Sequence, residues 1–144
     1  MWYDTPMKKF VSTSVIETEL LTAIENKDYK KASEVLSLAF LENSKNIDLI
    51  KYIEKEFIDS ELYNEVIELY KLEFIYTSNP ICFEKIGDIY VLTNELEQAL
   101  DAYLNCAEIS EDNHDIYIKL ADVFGKLNDN ESRIACLKQA GIEV

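Results

Sequence analysis

The sequence is poor in the residues that build turns, disulfide frameworks and metal sites. Its 144 residues include only 3 Gly and 2 Pro, which argues against a turn-rich all-β fold. The 3 Cys are widely spaced without a C-x-x-C pair, and His114 is the single histidine. Zinc sites draw on close Cys and His pairs. We therefore expect no metal and no cofactor, and we interpret Cys106 and Cys136 as small buried thiols.

Long hydrophobic runs are also missing. No apolar run in the sequence reaches the ~18 residues that a membrane-spanning helix needs. The first ten residues contain Lys8 and Lys9 with no apolar stretch after them, unlike a secretory signal. We therefore expect a cytoplasmic protein without a membrane partner.

Positive charge is scarce. Lys and Arg total 14 against 28 Asp and Glu, so the net charge is −14. Nucleic acid is excluded as the expected partner, because its phosphates would be repelled. A partner protein or peptide with basic groups fits this charge better. The alternative interpretation is that the acidic residues only keep exposed helix faces soluble.

The sequence does contain a repeat with a period of 34 residues. Positions that match at this spacing are Phe83 and Tyr117, Ile86 and Leu120, Gly87 and Ala121, Tyr90 and Phe124, and Asn94 and Asn128. Apolar residues follow helical spacing on both sides of Asn94. Asparagine tolerates the left-handed backbone that a tight turn between two helices requires. Each such helix pair has an apolar face that must stack on a neighbour.

The same rhythm extends upstream and downstream with weaker sequence matches. The small-residue positions Ala32, Val66, Ala99 and Arg133 are 34, 33 and 34 residues apart. This spacing predicts eight antiparallel helices, with turns at Lys27–Asp28, Asp59–Ser60, Asn94 and Asn128. Arg133 is a poor match at a tight contact. Either the last helix packs more loosely, or Arg133 lays its aliphatic stem along the surface.

The run Phe83-x-x-Ile86-Gly87-x-x-Tyr90, followed by Ala99-x-x-x-Tyr103, resembles the tetratricopeptide repeat signature. The resemblance implies an all-α fold, an α-solenoid of about four helix-turn-helix repeats in a right-handed superhelix. The repeats would span about residues 12–45, 46–79, 80–113 and 114–144 of a single domain, after an N-terminal arm at residues 1–11. Gly87 would let the second helix approach closely, and Tyr90 and Tyr103 would fill the space between the helices.

The resemblance also implies a binding groove, because the first helices of successive family repeats line a concave surface. Carried over, the groove would be lined by Glu17, Leu21, Ile24, Lys51, Tyr52, Lys55, Ile58, Ile81, Glu84, Lys85, Asp88, Val91, Leu92, Ile118, Lys119, Asp122 and Lys126. Some family members grip a C-terminal carboxylate with basic side chains. Glu17, Glu84 and Asp88 would repel such a group, so we reject that mode of recognition.

These observations favour a non-enzymatic scaffold or adaptor that binds a peptide or helix with apolar and basic groups. The sequence has no phosphate-binding loop, no nucleophile elbow and no H-E-x-x-H pair, so we expect no catalysis. The alternatives are an acidic inhibitor that mimics nucleic acid and a small secretion-type chaperone. Trp2 in the N-terminal arm either pads the first helix pair or docks in a groove. A homodimer and a fragment of a larger protein both stay open.

Overall fold

The structure, a computed structural model, describes residues 15–43, 47–110 and 112–143. These residues form eight α-helices and no β-strand. The helices are α1 (Val15–Glu25), α2 (Tyr29–Asn43), α3 (Ile47–Asp59), α4 (Tyr63–Thr77), α5 (Ile81–Leu92), α6 (Leu96–Ile109), α7 (His114–Lys126) and α8 (Asn130–Gln139). The expected all-α fold of helix-turn-helix repeats is therefore confirmed. The N-terminal arm with Trp2, and the side chain of Glu17, lie outside the described part of the chain.

The chain divides into two compact units, residues 1–77 and 78–144. In the N-terminal unit, α1 packs on α2, α3 packs on α4, and α2 also contacts α4. The Tyr29 ring meets the fully buried Phe57 ring edge to face, with the centroids 6.1 Å apart. This is a favourable geometry for aromatic pairs. Within the described residues, no helix combines the length and apolar character that a membrane span requires.

In the C-terminal unit, α5 packs on α6, α6 on α7, and α7 on α8. Its core is formed by the buried residues Ala99, Tyr103, Cys106, Ala107, Ile116, Leu120 and Val123. Gly87 lies against the Tyr103 ring, so closely that a Cβ on residue 87 would overlap the ring. The expectation that Gly87 permits a close approach of α6 to α5 is therefore confirmed.

The four turns inside the repeats have the same backbone structure. Each contains one residue with φ between 57° and 62°, namely Lys27, Glu61, Asn94 and Asn128. In each turn this residue and the next one donate backbone hydrogen bonds to carbonyls of the preceding helix. Examples are Asn94 to Val91 at 3.0 Å and Glu95 to Tyr90 at 2.8 Å. This pattern is the Schellman motif, which satisfies carbonyls that a helix end leaves without partners.

One of the turn predictions is wrong by one to two residues. We expected the second turn at Asp59–Ser60, whereas α3 continues through Asp59 and the left-handed residue is Glu61. A glutamate does not mark a left-handed position by its identity, because that conformation favours Gly and Asn. The corrected positions of the left-handed residues are spaced by 34, 33 and 34 residues, the same spacing as that of Ala32, Val66, Ala99 and Arg133.

Side-chain caps begin α7 and α8 of the C-terminal unit. Asn113 Oδ1 accepts a hydrogen bond from the Ile116 backbone N–H at 3.2 Å at the start of α7. Asp129 Oδ1 accepts one from the Ser132 N–H at 3.1 Å at the start of α8. Both residue types are preferred at helix N-caps. Pro80 directly precedes α5, where its fixed φ and missing N–H suit the start of a helix.

The three cysteines are thiols that differ in burial. Cys82 and Cys106 are buried, whereas Cys136 is half-buried. The interpretation of Cys136 as a buried thiol is therefore corrected. The reason is that α8, on which it lies, has no buried residue among those described. Within the described residues, no group of three or more metal-ligating side chains comes together.

Candidate functional site

The side chains on one face of α5 come together with Lys119 of α7. We call this surface the α5–α7 face, and it is formed by Ile81, Glu84, Lys85, Asp88, Val91, Leu92 and Lys119. The six α5 residues follow helical spacing, so they share one side of that helix. All seven were predicted to line a groove, and the structure groups them within the C-terminal unit.

Lys119 connects α7 to two carboxylates of α5. Its Nζ donates hydrogen bonds to both carboxylate oxygens of Asp88 at 3.0 Å, and to Glu84 Oε2 at 3.3 Å. The same Nζ lies 6.0 Å from the centre of the Tyr103 ring, the outer limit for a cation–π contact. One ammonium group thus joins the first helices of two successive repeats.

Tyr103 of α6 contacts this cluster from the side of the hydrophobic core. Its hydroxyl donates a hydrogen bond to Asp88 Oδ1 at 2.5 Å, and the side chain is buried against Gly87. Burial raises the pKa of the Tyr103 phenol, and the hydrogen bond to Asp88 and the nearby negative charge raise it further. Each of these effects opposes ionisation of the phenol. Tyr103 therefore stays neutral and acts as a hydrogen-bond donor to Asp88.

The charge of the cluster is negative. Burial alone would lower the pKa of Lys119, but hydrogen bonds to Asp88 and attraction by Asp88 and Glu84 outweigh it and raise the pKa. The ammonium therefore stays charged, and it neutralises only one of the two carboxylates. Asp88 retains 45% exposure of its side chain, so the remaining negative charge is accessible from solvent.

Exposed aliphatic side chains lie at both ends of the same helix face. Leu92 is 61% exposed and Ile81 is 45% exposed. Acidic groups with aliphatic groups beside them can contact a segment that carries basic and apolar side chains. Burial and the charge of Glu84 raise the pKa of the Cys106 thiol beneath this face, which makes it a poor nucleophile.

The N-terminal unit places the predicted groove residues differently. Leu21 and Ile24 are only 1% and 2% exposed, so they are core residues and we leave them out of the candidate surface. Lys51 and Lys55 are exposed on α3, where Lys55 pairs with Asp59 at 2.5 Å. Tyr52 is half-buried.

Burial, followed by the charges of Glu56 and Glu25, raises the pKa of Tyr52 to about 12. This phenol therefore stays neutral at physiological pH. Lys51 and Lys55 lie on the same helix. Ile58 lies at the end of the same helix and is half-buried.

The remaining predicted residues lie further along α7. Asp122 pairs with Lys126 at 3.3 Å rather than with α5. Ile118 is exposed and does not belong to the charged cluster.

Sequence reasoning missed the polar role of Tyr103, which it treated only as a space-filling group. The available signal was the residue type, because a buried tyrosine hydroxyl needs a partner that a phenylalanine would not.

We expect the stability of the C-terminal unit to fall as pH rises above 10.0, because Tyr103 and Lys119 hold their protons more tightly in the folded than in the unfolded chain. Their contributions are fully present below the unfolded pKa values of 10.0 and 10.5 and are lost above them. In Tyr103→Phe the decline should be shallower. Urea denaturation at a series of alkaline pH values measures both slopes.

The control is the difference in free energy of unfolding between the wild type and Tyr103→Phe at neutral pH. There Tyr103 and Lys119 are protonated in both the folded and the unfolded chain. Parallel declines of the wild type and Tyr103→Phe above pH 10.0 would contradict the role given to this hydroxyl.

A known repeat family matches part of this chain. The tetratricopeptide (TPR) repeat matches residues 87–128, which extend from Gly87 in α5 to the left-handed Asn128 after α7. This stretch holds most of the charged cluster and the core beneath it. No curated protein matches the chain by sequence.

Solved structures of MamA are similar to the chain in fold. An arginine-to-glutamate mutant of MamA has a TM-score of 0.63 and 11% identity, and the match covers 91% of this chain and 96% of that one. Another MamA crystal structure has a TM-score of 0.56 and 16% identity, and the match covers 90% of this chain and 74% of that one. The structure of Desulfovibrio magneticus RS-1 MamA, which begins at its residue 41, has a TM-score of 0.58 and 9% identity. That match covers 88% of this chain and 72% of the MamA chain. At these identities the likeness shows the helical repeat fold.

Proposed function

We propose that this chain, a tetratricopeptide-repeat protein, is a non-enzymatic scaffold that binds a peptide or helix of another protein on its α5–α7 face. The partner segment would carry apolar anchors with basic groups between them. The observation that supports this most is the cluster of Glu84, Asp88 and Lys119, which leaves an accessible negative charge beside Leu92. A scaffold for protein–protein interaction is also the role that stacked helical repeats with extended surfaces suit.

The mixture of charges on this face favours a protein partner over nucleic-acid mimicry. A mimic needs carboxylates that dominate one surface, as phosphates dominate a duplex. On the α5–α7 face, Lys85 and Lys119 alternate with Glu84 and Asp88. The exposed aliphatic groups at both ends add the apolar contacts that protein segments use when they lie in a groove.

The proposal is tested by introducing a charge at the exposed apolar end of the face. We expect Leu92→Glu to weaken partner binding by roughly tenfold, the loss typical of an important contact residue. Leu104→Glu is the matched control, because Leu104 is 47% exposed on α6 and lies outside the face. Affinity capture from lysate with the two variants and the wild type identifies the partners, and titration calorimetry then measures their affinities.

The expected result is a partner that the wild type and Leu104→Glu retain and Leu92→Glu loses. Partners that both variants retain equally would exclude the α5–α7 face as the contact surface. High salt should also weaken the binding of a genuine partner, because part of the attraction is between charges.

A further inference from the structure

A second surface of the C-terminal unit lies between α7 and α8. It is a cleft of about 390 Å³, which we call the α7–α8 cleft. Its lining residues are Ile118, Ala121, Asp122, Gly125, Lys126, Arg133 and Leu137. Ile118 and Leu137 supply apolar walls, and the charged side chains stand at the rim.

Every lining residue of the cleft has a counterpart 34 positions earlier. The counterparts are Glu84, Gly87, Asp88, Val91, Leu92, Ala99 and Tyr103 on α5 and α6. Helix α7 covers part of that earlier surface and leaves Leu92 exposed. Its Lys119 binds Glu84 and Asp88, and its Leu120 packs in the core with Tyr103. The molecule therefore contains an internal precedent in which a surface of this form receives a helix.

The cleft differs from the corresponding surface of the third repeat in the sizes of two side chains. Val91 and Ala99 of the third repeat are replaced by Gly125 and Arg133 in the fourth. A Cβ on residue 125 would lie 3.2 Å from Arg133 Cδ, so the absence of a side chain there makes room for the arginine stem. This agrees with the interpretation that Arg133 lays its stem along the surface.

The arginine head group is held at the rim of the cleft. Arg133 Nε and Nη2 both donate hydrogen bonds to Asn130 Oδ1, at 3.0 and 2.8 Å. These bonds fix the plane of the guanidinium. A fixed guanidinium is well suited to bind a carboxylate through paired hydrogen bonds.

The exchange also inverts the charge of the surface. In the third repeat the seven positions carry Glu84 and Asp88 and no basic residue, and they accept a lysine from α7. In the fourth repeat one carboxylate, Asp122, stands with Lys126 and Arg133, so the sum changes from −2 to +1. Arg133 is the single arginine of a chain with a net charge of −14. A helix that complements this cleft therefore carries a carboxylate where α7 carries Lys119.

We propose that the α7–α8 cleft binds an acidic amphipathic helix of a partner protein. A carboxylate of that helix lies against Arg133 and Lys126, and its apolar side chains contact Ile118 and Leu137. The site shares no residue with the α5–α7 face and selects the opposite charge. One chain can thereby hold two different protein segments at once.

Two synthetic peptides test this proposal on the full chain carrying Leu92→Glu, the substitution that weakens the α5–α7 face, so that the comparison reports on the cleft. Both form an amphipathic helix with the same leucine face, and they differ only in a central Glu or Lys beside that face. Fluorescence anisotropy should show that the Glu peptide binds about fivefold more tightly, the difference typical of a partly exposed charge pair. Arg133→Gln should abolish this preference, whereas Lys138→Gln, a basic residue of α8 outside the cleft lining, should keep it.

A second variant separates binding from folding. The double substitution Gly125→Val with Arg133→Ala restores the residue pair of the third repeat, so it should melt like the wild type and still lose the preference. Equal affinities for the two peptides, no binding of either, or a preference that survives Arg133→Gln would each overturn the proposal. Self-association of the chain that Arg133→Gln abolishes would also overturn it, because the occupant would then be a second copy.

Discussion

We expect Leu120→Ala to lower the free energy of unfolding of the C-terminal unit by about 2–5 kcal/mol, the range for truncating a buried leucine. Leu120 has no exposed surface and packs within the core that includes Tyr103, Ile116 and Val123. Both residues favour helix, so the loss comes from the cavity and from apolar surface returned to water. Urea denaturation followed by circular dichroism measures the effect.

Leu104→Ala provides the control for this prediction. Leu104 is a leucine of the same unit, but it is exposed on α6. Its truncation should change the free energy of unfolding by no more than about 0.5 kcal/mol. Losses of similar size in the two variants would contradict the core that we describe around α7.

Gly87→Ala should lower the free energy of unfolding by about 1–2 kcal/mol. Alanine stabilises a helix interior by up to ~1 kcal/mol relative to glycine, but overpacking a core costs about 1–3 kcal/mol. Overpacking wins here because the new Cβ would overlap three ring atoms of Tyr103. That ring is buried and fixed by its bond to Asp88, so it cannot move aside freely.

Two further variants isolate the steric cause. In the Tyr103→Leu background, Gly87→Ala should no longer destabilise, because the fourth repeat already combines Ala121 with Leu137 at the same positions. Gly125→Ala should be neutral or stabilising, since the new Cβ meets only the flexible stem of Arg133. If Gly87→Ala proved as stable as the wild type, the close approach of the two helices would not depend on glycine.

The architecture could be predicted from the sequence because its determinants are local and periodic. The spacing of apolar residues marked the helices, and Gly87 marked the tight contact between α5 and α6. The turn at Glu61 was misplaced because its structure is set by backbone hydrogen bonds, which residue identity does not report.

The candidate site was less accessible to sequence reasoning. The family resemblance placed Leu21 and Ile24 in the groove, yet they are buried, because removal of their apolar side chains from water is favourable. Glu84, Asp88 and Lys119 were recognised as surface residues, but not as one cluster. Their meeting requires α5 and α7 to lie side by side, which is a property of the folded unit. Arg133 stood out as a mismatch, and its compensation by Gly125 became evident only from the distance between them.

The Schellman turns explain why the sequence signature of the repeat covers fewer residues than the helical repeat fold does. Every turn inside a repeat is closed by two backbone hydrogen bonds, and its left-handed position accepts lysine, glutamate or asparagine. Hairpins built in this way can diverge in sequence while their geometry persists. The repeat family is recognisable over residues 87–128, although MamA structures align with about nine-tenths of the chain. In this protein, the helical hairpin geometry therefore extends beyond the residues whose side chains carry the repeat signature.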